Sequence, residues 1–156
     1  MLWGDTLTAM LSFLLGLIGG VIIQSVRFRY NRRLDKIRRV MPHMETVHPI
    51  FETLMIDAEH ACRLQEKNDA SELDRYIARI SETFNSFGKW YSEFVERGMK
   101  PELQSLDYNL YAGLYGIFTY HQMTKIHGVQ FISQCLVDIK AKLGKTMTLL
   151  EEFLKQ

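Results

Sequence analysis

An all-α architecture is predicted: a single N-terminal transmembrane helix, a basic stalk, and a cytosolic antiparallel bundle of about four helices. Three observations predict it. Between Asp5 and Arg27 lie twenty-one residues without a charged side chain. Further along, Leu73, Ile77, Ile80, Phe84, Phe87, Tyr91 and Phe94 recur at alternating steps of four and three, the spacing of one helix face. No β-rich alternating run of useful length occurs anywhere in the chain. With 47% hydrophobic and 24% charged residues, two Cys, ten Gly and three Pro, the composition excludes a disordered chain, a disulfide scaffold and a fibrous repeat.

The elements follow in order. Residues 1–6 form a short extracytoplasmic N-terminus and residues 7–26 the membrane helix, because about twenty helical residues cross a hydrocarbon core of roughly 30 Å. A cleaved signal peptide is the lesser reading, since the leading residues carry no cation and the run ends in a basic flank. Residues 27–39 hold seven cations, Arg27, Arg29, Arg32, Arg33, Lys36, Arg38 and Arg39, against Asp35. Such a flank stays on the cytoplasmic side, which places the N-terminus outside and the remaining chain inside, by default across the inner membrane of a prokaryote. The same cations face lipid head groups, with Trp3 and Tyr30 in the two interfacial belts. Within the span, Ser12, Gly16 and Gly20 share one face with Gly19 beside them, a pattern that lets membrane helices approach closely.

Residues 27–48 are expected to be a stalk ending near Pro42, with a kink or connector over His43 to His48, because Pro42 and Pro49 each remove a backbone donor. The bundle is expected over 49–156. Its first helix runs from Pro49 to Lys67 with Phe51, Leu54, Ala58 and Ala61 inward. Its second opens at Ser71, with Asp74 completing a capping-box-like start, and stops at Gly98. A third runs from Pro101 to Lys125. It carries no charge from Tyr108 to Thr124, which reads as a mostly buried helix, a subunit interface or, third, a membrane-associated segment, with Gly113 and Gly116 marking close packing. The fourth spans Val129 to Leu154, with Val129, Ile132, Leu136, Ile139, Leu143, Met147, Leu150 and Leu154 inward. Cys62 and Cys135 are expected to be buried free thiols.

Chemistry-bearing motifs are sparse: no Gly-rich phosphate loop, nucleophile elbow, paired Cys-x-x-Cys or H-E-x-x-H occurs. Glu45 with His48 and Asp57 with His60 have the i, i+3 spacing of di-iron bundle ligands, but both pairs lie in one segment, so neither a metal nor another cofactor is expected. Arg38 followed by four residues and His43 resembles the R-x4-6-H pattern of HEPN-type helical bundles, and a tethered bundle is similar in outline to small accessory proteins of some CRISPR systems. That resemblance implies a ribonuclease acting through Arg38 and His43, although in the family the motif lies on a late bundle helix. Nucleic acid is not an expected partner, because the basic run sits at the membrane flank and residues 40–156 carry twelve Lys/Arg against sixteen Asp/Glu. Trp90, one place off the seam, is the expected exposed anchor, and Tyr108, Tyr111 and Tyr115 complete the candidate interface.

These features favour a non-enzymatic tether, assembly factor or accessory subunit, with no catalytic residue, whose partners are membrane lipid and itself or another membrane-associated protein. A self-assembling ring or pore is the alternative, and the membrane-tethered ribonuclease ranks third.

Overall fold

The computed structural model describes the backbone of residues 2–156 and the side chains of residue 8 and of residues 10–156. Trp3 and the expected N-terminal segment 1–6 have no described side chains. The chain forms five helices, α1 (Leu2–Glu66), α2 (Ala70–Glu96), α3 (Met99–Leu106), α4 (Tyr108–His127) and α5 (Gln130–Leu154), with no strand among the described residues. It divides into two compact units, Met1–Ile37 and Arg38–Gln156.

The described residues of the first unit lie in α1. Met10, Leu11, Phe13, Leu14, Leu15, Leu17, Ile18, Val21, Ile22, Ile23 and Val26 are all exposed, so this apolar surface finds no cover within the chain. The stretch is long and apolar enough to cross a membrane.

In the second unit the expected break at Pro42 and Pro49 does not occur: both prolines lie inside α1, and the segment from His43 to His48 is helical. The reason is the inward face. Val40, Met44, Val47, Phe51, Leu54, Ala58 and Ala61 are each 0% exposed and repeat at steps of four and three. Burying the five large members contributes roughly 8–15 kcal/mol at 1.5–3 kcal/mol each, against about 6 kcal/mol for two interior prolines. Both prolines are exposed, so their rings stand on the face of α1 opposite the buried row. One turn after each, Thr46 Oγ1 donates to the Pro42 carbonyl at 2.7 Å and Thr53 Oγ1 to the Pro49 carbonyl at 3.0 Å. Pro49→Ala is therefore expected to stabilise the fold by about 1–3 kcal/mol; a lower thermal midpoint by circular dichroism would contradict a continuous helix.

α1 ends in a Schellman motif. Asn68 takes a left-handed φ of 55°, the Asp69 amide donates to the Leu64 carbonyl at 3.1 Å, and the Asn68 amide to Gln65 at 3.2 Å. Asp69, rather than Ser71, then caps α2 by accepting from the Glu72 amide. Gly98, at φ 73°, separates α2 from α3. The expected third helix is interrupted at Asp107, whose extended backbone ends α3 and whose carboxylate accepts from the Leu110 amide at 2.9 Å to start α4.

Side-chain contacts give the topology. Between α1 and α2, Phe51 meets Phe87 and His43 meets Phe94. Tyr91 stacks on Phe118 at 4.4 Å between α2 and α4. Tyr120 donates to Asp138 between α4 and α5, and Gln65 Nε2 donates to the Ser133 carbonyl, bringing α5 back to α1. With Gly88 against His121, Gly113 against Thr146 and Gly144 facing Met55, one number rises as the other falls in every pair, so neighbours are antiparallel. The circuit α1, α2, α4, α5 is an up-down bundle with α1 and α4 at opposite corners. The inward row of α5 is Ile132, Leu136, Ile139, Leu143, Thr146, Leu150 and Phe153. Thr146 and Phe153 thus replace the expected Met147 and Leu154, and Val129 is 43% exposed.

Candidate functional site

The residues singled out in the sequence separate into three regions. In the first unit, a Cβ added at Gly16, Gly19 or Gly20 would meet nothing within 4 Å, and Ser12, Gly16 and Gly20 line one shallow groove with Gln24 and Arg27. Arg27, Arg29, Arg32 and Arg33 are exposed, and Lys36 is half-buried. Arg38 and Arg39 fall in the second unit, where Arg39 pairs with Glu102 at 3.0 Å.

Arg38 and His43 are not brought together. Five residues apart on one continuous helix, they point about 140° from each other. Arg38 is exposed, whereas His43 sits edge-on to Phe94 at 5.7 Å. Nor do the carboxylate and imidazole pairs converge. Asp57 Oδ1 pairs with Arg79 Nη2 at 3.0 Å, His60 stacks on Tyr76 at 5.3 Å, and His48 leans toward Glu52. Among the described residues no three His, Cys, Asp or Glu form a metal-binding group. Cys62 is buried, and burial pushes its thiol up from the ordinary value; Cys135 is half-buried, and both are free.

Asp57 and His121 are buried polar groups on the helix interfaces. Asp57 is 1% exposed, with Oδ2 lacking a hydrogen-bond partner among the described residues. His121 is 3% exposed and occupies the inward row of α4. Its ring fits against Gly88 of α2, where an added Cβ would lie 2.9 Å from Cε1 and closer still to Nε2 and Cδ2. Burial, then Lys125, lowers the His121 pKa from 6.5; burial, then Arg97, does the same to His43. A lowered histidine binds its proton more readily in the unfolded chain, so stability is full above pH 6.5 and falls as pH drops below it. Thermal melts from pH 7.5 to 5 are expected to show this decline, and His121→Gln to flatten it; an unchanged slope in the variant would assign the decline elsewhere.

The tyrosines form the third region. Leu110, Leu114, Ile117, His121 and Thr124 point inward from α4, which leaves Tyr108, Ala112, Tyr115 and Thr119 outward. Tyr108 is 62% and Tyr115 52% exposed, and buried Tyr111 bridges them with ring centroids 6.3 Å from each. Lys100 of α3 lies over the Tyr111 ring at 5.7 Å and Lys142 of α5 over the Tyr120 ring at 5.0 Å. Asn109, Ala112, Gly113 and Gly116 form a groove against Lys142, Lys145 and Thr146 of α5. Gly113 is required there, since its Cβ would come within 2.6 Å of Thr146 Oγ1; Gly116 is open. Trp90 does not belong to this surface and is not exposed. It is 7% exposed, stacked between Phe87 and Phe94 of its own helix, so the expected exposed anchor is a core residue.

The other outward faces carry charge: Glu45, Glu52 and Glu59 on α1, Glu82, Lys89 and Glu93 on α2, Lys142, Lys145 and Glu152 on α5, all exposed. The outward face of α4 carries none between Tyr108 and Thr124. No protein-family model matches the chain, and neither a curated protein nor a solved structure matches it.

Proposed function

We propose that this chain is a single-pass membrane protein whose cytoplasmic helical bundle acts without catalysis, as a tether, assembly factor or accessory subunit, by docking a protein on the outward face of α4. One observation carries this reading: from Tyr108 to Thr124 the outward face of α4 exposes two tyrosines and no charge where a solvated helix face carries charge. Tyrosine supplies large, rigid contact area with a polar tip, and is enriched at binding hot spots. The uncovered apolar stretch of the first unit and its basic flank support the anchor and its orientation, with the bundle inside a prokaryotic inner membrane.

Tyr108→Glu with Tyr115→Glu in the full chain is the test. It is expected to weaken protein association at least tenfold, measured as mass and composition of the complex extracted in mild detergent, with the helical content unchanged. Retention of the same complex would overturn the reading. The alternative, a self-assembling membrane ring, draws support from the uncovered Ser12, Gly16 and Gly20 face; Gly16→Ile with Gly20→Ile would then abolish the oligomer.

A further inference from the structure

The surface at the corner opposite α4 has matching features. On α1, Pro42, Pro49 and Ile56 are exposed and uncharged at intervals of seven residues, about 10.5 Å of helix. Tyr108 and Tyr115 stand at the same interval on α4. Along one edge of the α1 strip run Glu45, Glu52, Glu59 and Glu66, again seven apart and all exposed. The α4 strip is bordered instead by Lys142 and Lys145 on one side and Lys100 on the other. Of the acids near those edges, Asp107 caps α4 and Asp138 is held by Tyr120 and Lys142, while Glu152 stands exposed one turn or more beyond Lys145 on α5.

We infer that the outward face of α4 receives the outward face of α1 from a second copy of this chain, so that copies join head to tail. This rests on the reading of α4 as a docking face and names its occupant. An apolar strip with an acidic edge meets an apolar strip with lysine edges, in step along the helix axis. Pairing α4 with α4 would instead set lysines against lysines, a repulsion that acts against the wrong partner. Because the two faces occupy opposite corners of one bundle, they cannot meet within a chain. Each contact therefore leaves a free face at both ends, the heterologous arrangement that extends into rows or closes into rings. Two ion pairs already within α1, Arg63 with Glu59 at 2.7 Å and the weaker His48 with Glu52 at 3.8 Å, leave these carboxylates exposed at the surface.

The test is a charge swap in the full chain in nanodiscs or mild detergent, read by light scattering. Lys142→Glu with Lys145→Glu makes both faces acidic; Glu45→Lys with Glu52→Lys makes both basic. Each variant alone is expected to associate at least tenfold more weakly than the unaltered chain. An equimolar mixture of the two, or one chain carrying all four substitutions, is expected to recover the association, which a merely misfolded variant would not. Weakening without recovery, or association indifferent to both swaps, would overturn the inference. If Tyr108→Glu with Tyr115→Glu released a different protein while self-association held, the occupant would be wrong and the docking face right. If those variants released nothing and left self-association unchanged, both would fall.

Discussion

Arg79→Ala is expected to cost about 2–4 kcal/mol, the largest loss from any single exposed-side truncation in the bundle. Asp57 is 1% exposed on α1, and its Oδ1 has Arg79 Nη2 at 3.0 Å. Removing one member of a buried pair costs roughly 3–5 kcal/mol because the other charge stays in place without compensation. Arg79 is 47% exposed, so its removal opens a path for water and the loss is smaller. The pair as a whole is a different matter: Asp57→Leu with Arg79→Met removes both charges and fills the space, and is expected to be neutral or stabilising. Chemical denaturation of the single and double variants checks both statements. A cost below about 1 kcal/mol for Arg79→Ala would show that the carboxylate is already solvated.

Gly88→Ala is expected to destabilise by about 1–3 kcal/mol, although alanine is the better helix former by roughly 1 kcal/mol. The Cβ would enter the space of three His121 ring atoms, and the ring, held in the inward row of α4 beside Phe118, has to leave or push α4 from α2. The cause is specific, so His121→Ala in the same chain should restore most of the loss. Two variants that harm separately and compensate together have a coupling term that distant sites lack. Additive losses would show that Gly88 is needed for its backbone and not for the imidazole.

Where period and chemistry agreed, the elements were legible. The inward row of α2 from Ile77 to Phe94 is the one its spacing predicts. In α1 the local cost of proline predicts a break, whereas the inward row from Val40 to Ala61, in the same four-and-three rhythm, continues on the face opposite both prolines. For α4 the uncharged stretch leaves open how much of the helix is buried, and only the positions of Leu110, Leu114 and Ile117 decide which half faces water. Thr146 lies inward where apolar spacing points to Met147; its hydroxyl is satisfied by the Lys142 carbonyl at 2.8 Å, and its small side chain lies against Gly113. Trp90 shows the limit of reasoning from one helix: one place off a seam is still inside when aromatic neighbours close over it. His121 carried no sequence signal, since the glycine that accommodates it is thirty-three residues earlier.

The return of α5 to α1 sets the order in which the bundle can be made. During synthesis α2 finds α1 already present, and α4 finds α2; each step closes only a short loop. α5 must settle against α4, α2 and α1, the last reached by a contact spanning 68 residues, from Gln65 to Ser133. Loop closure makes that pairing the slow one. Until the ribosome has passed Phe153, the inward rows of α1 and α4 stay partly open, and the nascent chain is most in need of a chaperone between the completion of α4 and the release of α5.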